Sequence, residues 1–215
     1  LYYYYNGFKT DLVLNEPLIR YNALYQKKYD YRKKYNLIDN YIIGFAGSIS
    51  EIKGIIYLIR GIEKIKIVCD DIVLLICGNI STNNKQYYHK LKKYVDDNNL
   101  TDVVFFTGFY DHIYHSNVIK NFDIFINPSL HEGTPLTILE CMGVGVPAIA
   151  TNVGGVSNQI VNNYNGLLIE PKNVEALSDA ILRIKNNDKL KLHLVSNAYA
   201  FIEKNYTLEQ SYEVL

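Results

Sequence analysis

Asn127 to Gly155 reads NPSLHEGTPLTILECMGVGVPAIATNVGG. An apolar run, Ile124–Asn127, stops at Pro128, and a second, Ala148–Thr151, starts after Pro147. Between them lies a helical pattern that Thr134 and Pro135 open and Gly143 and Gly145 close. Thr134 has the chemistry of an N-cap and Pro135 that of a first helical residue, predicting a helix over Pro135–Met142. Strand, loop, helix, strand makes one unit of a parallel sheet. Gly133 lets the backbone come close to a ligand. Glu132 and Glu140 stand eight positions apart. One lies in the loop and the other about one and a half turns into the helix. The free N–H groups of the first turn, over Thr134, Pro135, Leu136 and Thr137, lie between them and attract phosphate. Carboxylates beside such a turn can accept hydrogen bonds from sugar hydroxyls, so the segment has the parts that a nucleotide-sugar site requires. The simpler reading is a plain helix start with Glu140 a solvated surface acid. The loop glutamate, the glycine next to it and the buried strand before it argue for the site.

The same alternation extends in both directions. Further strands are predicted at Tyr41–Ala46, Ile72–Cys77, Val103–Thr107 and Leu167–Ile169, all continuous Ile/Val/Phe/Leu runs, as for strands buried on both faces. Further helices are predicted at Gly54–Ile65, Gln86–Asn98, Ile113–Asn121, Val156–Val161, Val174–Lys185 and Leu190–Lys204. The expected fold class is α/β, a Rossmann-like parallel sheet with helices on both faces. Ligands of such sheets sit at the carboxyl ends of the strands, where the loops Gly47–Lys53, Gly78–Lys85, Gly108–His112, Pro128–Thr134 and Asn152–Gly155 gather.

Bulk properties narrow the class. The chain has 215 residues, is 48% hydrophobic and 20% charged, and carries 22 basic and 22 acidic residues. A zero net charge gives no reason to expect a nucleic-acid binder. Three dispersed cysteines, Cys69, Cys77 and Cys141, lack metal-ligand spacing and suit a reducing, cytoplasmic setting. No apolar run reaches membrane-spanning length. The organisation read from the sequence is a linker segment with a basic helix over 1–40, a nucleotide-sugar-binding domain over 41–205, and the start of a truncated helix over 206–215. The basic, tyrosine-rich stretch Arg20–Lys34 reads as a solvated helix face, or alternatively as a peripheral contact with anionic lipid at the inner face of the membrane.

The loop Gly47-Ser48-Ile49-Ser50-Glu51-Ile52-Lys53-Gly54 can bring amides and a lysine to a diphosphate, yet it is neither a P-loop nor a dinucleotide fingerprint. Gly154-Gly155 reads as a tight connection rather than a ligand contact. Asp111, His112 and His115 have a spacing that metals use, but Asp111 as a helix cap and two solvated histidines is the preferred reading. His131 either touches the ligand or stays an exposed loop residue.

In this order and at these spacings, the features resemble the C-terminal domain of retaining GT-B glycosyltransferases of the group 1 (family 4) branch. The matching residues are Gly47 to Gly54, Pro128-Ser129-Leu130-His131-Glu132-Gly133, Glu140, Gly145-Val146-Pro147, Gly154-Gly155 and Asn165-Gly166-Leu167-Leu168. The resemblance spans about residues 41–205, and Tyr5-Asn6-Gly7-Phe8 looks like the segment that links the two GT-B domains. It implies that an N-terminal, acceptor-binding domain belongs to the protein but is absent from this chain, which opens on Leu1. By the resemblance, Glu132 binds hydroxyls of the transferred sugar and Glu140 holds the ribose. The amides of Thr134–Thr137 meet the diphosphate, and Lys53 neutralises the leaving phosphate. Gly47, Ser48 and Gly78 line the donor, and Gly108, Phe109 and Tyr110 border the base. Lys53 and Glu132 are then the catalytic residues, with no metal and no cofactor beyond the nucleotide-diphosphate sugar itself.

The implied activity is transfer of a sugar from a nucleotide-diphosphate donor, with uridine as the expected base, to a saccharide or lipid-linked acceptor in polysaccharide biosynthesis. A GT-B nucleotide-sugar epimerase and a catalytically degenerate nucleotide-sugar-binding module are the alternatives. The family usually has arginine where this chain has Ser48, which removes a bidentate phosphate contact. Cys141 and Gly143 replace customary alanines and bear on helix packing.

Overall fold

A computed structural model describes residues 29–206, together with the backbone of two short strands, β1 (Tyr2–Tyr5) and β2 (Phe8–Asp11). These two pair antiparallel, Tyr2 opposite Asp11 and Tyr5 opposite Phe8. The Asn6-Gly7 turn, the Arg20–Lys28 part of the basic stretch and the helix start expected at Thr207–Leu215 lie outside the described residues.

The domain is built on six parallel strands: β3 (Tyr41–Ala46), β4 (Ile72–Cys77), β5 (Val104–Gly108), β6 (Ile124–Asn127), β7 (Ala148–Thr151) and β8 (Leu167–Ile169). Their spatial order is β5-β4-β3-β6-β7-β8. Both faces are covered, which is why the strands read as unbroken apolar runs. One face takes Ile43, Phe45, Leu74 and Ile76 and packs on α2 (Ile55–Lys66), α3 (Lys85–Asp97) and α6 (Val174–Lys185). The other takes Ile42, Val73, Leu75 and Phe125 and packs on α4 (His115–Ile119), α5 (Leu136–Gly143) and the later part of α7 (Asp188–Asn205). Gly44 is the small residue on that second face, because a Cβ there would overlap the Phe122 ring at 2.1 Å. Asn173 and Asn187 cap α6 and α7 through Ala176 N and Leu190 N, so α7 starts two residues before the expected Leu190. The helix expected at Val156–Val161 is instead a 3-10 turn over Gly154–Asn158.

At its described end the basic stretch departs in part from the solvated reading: Lys33 and Lys34 are exposed, but Tyr31 and Arg32 are not. Its described end forms α1 (Tyr31–Lys34), and Tyr31 is buried. Asn121 accepts from Tyr31 N at 2.9 Å. Arg32 reaches Asp123 Oδ2 at 2.5 Å and the Asn40 carbonyl at 3.0 Å. The same carboxylate oxygen accepts from Ile42 N at 2.7 Å. Asp123 therefore binds the segment before the sheet to its central strand, and an arginine that looked like one more surface charge is part of the frame. Among the described residues no helix is long and apolar enough to cross a membrane.

Two outcomes follow from this packing. Asp123→Ala removes the ion-pair partner of Arg32 and the acceptor of one strand N–H, and should lower unfolding free energy in urea by roughly 1–3 kcal/mol. The three thiols should differ in reactivity. Burial pushes Cys77 up to about 12 and Cys141 well above its usual range. Cys69 is only partly buried, although burial and its hydrogen bond to Asp71 also raise it. Mildly alkaline thiol titration of native protein should modify Cys69, slowly, and spare the other two until unfolding.

Candidate functional site

The strand order fixes where a ligand can enter. β3 and β6 are neighbours at the middle of the sheet. The chain leaves β3 toward β4 and leaves β6 toward β7, so the two loops part and a crevice opens at the carboxyl ends. The β3 loop closes in a 3-10 turn, Glu51–Lys53, and Gly54 follows with φ +62°. A Cβ at Gly54 would sit 2.1 Å from the Pro128 carbonyl oxygen, so only glycine permits both the left-handed backbone and this approach. Leu130 N donates to the Ile52 carbonyl at 2.7 Å and locks the two loops together.

That approach brings two predicted residues into contact. Lys53 Nζ lies 2.6 Å from Glu132 Oε1, with side chains 25% and 10% exposed. Ser129 Oγ, fully buried, is 2.6 Å from the same carboxylate oxygen and 2.6 Å from Asn127 Oδ1. One hydroxyl proton serves one acceptor. Donation to Glu132, with the Asn127 amide turned so that its NH₂ faces Ser129, satisfies all three groups. Below them, Thr151 donates to the Ser129 carbonyl at 2.5 Å. Gly155 N donates to the Gly133 carbonyl at 2.8 Å, and a Cβ at Gly154 would be 1.8 Å from the Glu132 carbonyl. The glycine pair is the close connection expected, and it supports the backbone that carries Glu132.

The helix begins one residue later than expected. Pro135, with ψ 111°, flanks α5 as its N-cap residue, and Thr134 is not the cap. No side chain caps this helix start among the described residues, so the N–H groups of Leu136 and Thr137 remain available for an anion. Gln159, buried and given no weight in the sequence, donates to the Pro135 carbonyl at 3.2 Å and anchors that turn. Asn165 in turn donates to the Gln159 carbonyl at 3.0 Å, which explains the Asn165-Gly166 turn.

Glu140 is not a solvated acid. Its side chain is 11% exposed, and Oε2 lies 3.0 Å from His115 Nε2. His115 Nδ1 is 2.8 Å from the Tyr110 hydroxyl. The reading of His115 as solvated is therefore wrong: its side chain is 8% exposed. Val118 and Ile119, on the same short helix, are buried against the sheet, and the ring points inward with them. Asp111 does cap the turn before α4, through Ile113 N at 3.2 Å. Each glutamate thus has its own partners, Glu132 with Lys53 and Ser129, Glu140 with His115. His131 is exposed.

On the far side of β3, three loops are stitched at their first residues. Gly47 N donates to Cys77 O, Gly78 N to Gly108 O and Ile49 N to Asn79 O. Gly78 approaches so closely that a Cβ would be 1.7 Å from the Gly47 carbonyl oxygen. Ser48 is exposed there. Beyond lies an open pocket of about 440 Å³ bordered by Gly78, Gly108 and Phe109. Phe109 is 70% exposed, an apolar ring face turned to solvent. Asn79, Ile80, Lys85, Tyr88 and His89 complete this pocket; the first three lie in the loop Gly78–Lys85 expected on the ligand side, whereas Tyr88 and His89 on α3 were not singled out in the sequence. Their place after β4 and at the start of α3, on the ligand side of the sheet, was the signal available.

The sequence profile described as Glycosyl transferases group 1 matches residues 27–201. The chain is 26% identical over 182 residues to the alpha-D-kanosaminyltransferase of Streptomyces kanamyceticus, covering 85% of this chain and 46% of that protein. It is 32% identical over 122 residues to the UDP-Gal:alpha-D-GlcNAc-diphosphoundecaprenol alpha-1,3-galactosyltransferase of Escherichia coli, covering 57% and 30%. It spans less than half the length of either. The crystal structure of Anabaena Alr3699/HepE in complex with UDP is similar in fold, with a TM-score of 0.79 at 21% identity over 86% of this chain and 50% of that one. With a profile match running from before the first sheet strand into the last helix, the chain belongs to the glycosyl transferases group 1 family, and its sheet is a Rossmann-like half of a GT-B fold.

Proposed function

We propose that this chain binds a nucleotide-diphosphate sugar, with UDP as the nucleotide, and is the donor half of a retaining glycosyltransferase. The observation that carries the reading is the Lys53–Glu132–Ser129 cluster in the crevice where β3 and β6 part, on the loop that leads to an uncapped helix start. The diphosphate lies against the N–H groups of Leu136 and Thr137. Lys53 has three donors and spends one on Glu132, leaving two for phosphate oxygens. As the glycosidic bond breaks, negative charge grows on the departing diphosphate, and a fixed ammonium and a helix N-terminus stabilise it without reorganising. They supply the positive field, and a divalent ion has no step to perform. Glu132 accepts from hydroxyls of the sugar and Glu140 from those of the ribose. The base lies at Gly108–Tyr110, with the exposed Phe109 ring a surface for it.

The donor base is supported by two relatives, one named for a UDP-galactose donor and one of like fold in complex with UDP. The acceptor is a saccharide or a lipid-linked saccharide, bound by a second domain preceding this one. The lipid-linked case would bring the protein to the inner face of the membrane. With Ser48 in place of an arginine, diphosphate affinity falls to Lys53 and the helix start.

UDP should raise the melting temperature of the chain. Lys53→Met should weaken UDP binding roughly 10–100-fold, the range of a charge-assisted contact worth about 1.5–3 kcal/mol. Equal affinity of the variant and the parent in calorimetry would remove the phosphate role. In the full-length enzyme, NMR of the first-formed product should show the anomeric configuration of the donor, and an inverted product would end the retaining assignment. Glu132→Gln should depress turnover more than UDP affinity, since its contacts are to the sugar.

A further inference from the structure

Glu140 raises a question of orientation. A carboxylate on an eight-residue helix, nearly buried, has to be aimed if it is to meet a ribose. His115 supplies an aim. Its Nε2 is 3.0 Å from Glu140 Oε2, an ion-pair contact in which the ring N–H is not aligned as a full hydrogen bond; two acceptors would repel at that distance, so that nitrogen carries the proton. The second ring nitrogen faces the Tyr110 hydroxyl at 2.8 Å. Burial and the nearby Glu140 charge hold the Tyr110 phenol well above its ordinary range, so it stays a donor. The Tyr110 and His115 rings also pack at 5.4 Å between centroids, and Tyr29 closes on Tyr110 at 6.3 Å. The row Tyr110–His115–Glu140 therefore joins the loop after β5, helix α4 and helix α5. It occupies one oxygen of Glu140. The other, Oε1, has no side-chain or backbone donor among the described residues.

We propose that His115, backed by Tyr110, is a positioning residue for the donor: it fixes the Glu140 carboxylate through Oε2 so that Oε1 accepts from the ribose hydroxyls. This rests on the nucleotide-sugar reading and adds the two residues that orient its ribose contact. The same row links the base loop at Gly108–Tyr110 to the ribose contact, so one side-chain chain holds both parts of the nucleoside.

The test compares UDP with 2′,3′-dideoxy-UDP by calorimetry on the full-length protein, for the parent, Glu140→Ala, His115→Leu, His115→Gln and Tyr110→Phe. His115→Leu should weaken UDP roughly tenfold, the effect of losing one charge-assisted contact, and leave the dideoxy nucleotide unchanged. His115→Gln, whose amide can still donate to Oε2, should recover most of the loss. Tyr110→Phe keeps the packing and should weaken UDP by roughly threefold, the effect of one neutral hydrogen bond, so the proposal remains testable if His115→Leu does not fold. Equal weakening of both nucleotides by His115→Leu or by Tyr110→Phe would overturn it. So would full UDP affinity in the histidine variants beside a weakened Glu140→Ala. If Glu140→Ala binds UDP as the parent does, the ribose role of Glu140 falls, and the positioning role falls with it.

Discussion

The Glu132 carboxylate sits in an almost dry loop, where an ammonium and a hydroxyl meet the same oxygen. Removing water from a carboxylate costs several kcal/mol unless a partner compensates. Lys53, Ser129 and the Thr151 contact below Ser129 provide that compensation from three successive elements of the sheet. The arrangement demands that two loops which diverge in sequence converge in space. That convergence is what Gly54, the Leu130–Ile52 hydrogen bond and the Gly154-Gly155 pair make possible. Chemistry and backbone geometry are the same problem here: a larger residue at Gly54 or Gly154 would push apart the groups that neutralise each other.

The strand order carries this logic outward. With β3 and β6 adjacent and their connections running in opposite directions, anything bound at the carboxyl end touches loops from both halves of the sheet. The β3–β4–β5 side offers glycines stitched by backbone hydrogen bonds and an open pocket with an aromatic face. The β6–β7 side offers the acids and the helix start. A ligand with a flat ring at one end, a polyhydroxyl ring at the other and anionic charge between fits this division.

Much of the frame was legible in the chain. Five of the six sheet strands have the expected bounds because each is an apolar run closed by glycine, proline or polar residues, and β5 is shifted by one residue. The Lys53–Glu132 meeting was legible only through spacing and resemblance, since the residues are far apart in sequence. His115 was misjudged for a physical reason. A histidine three residues from another on a short polar segment looks solvated. What buries it is the inward turn of α4 and the presence of Glu140 on a different helix, which no local pattern encodes. Gln159 and Arg32 escaped for the same reason. Their partners, the Pro135 carbonyl and Asp123, are contacts made only once the sheet has assembled.

The seam along α4 has a mechanical side. The Tyr29 hydroxyl accepts from Asp111 N, its ring leans on Tyr110 and Tyr114, and its carbonyl accepts from Asn121 Nδ2; Tyr31 N binds the same Asn121, and the Arg32 side chain binds Asp123. Tyr29 therefore couples the loop after β5 to the residues that precede β6. A shift of the backbone at Tyr29 would therefore disturb the loop after β5 and the Asn121 anchor together.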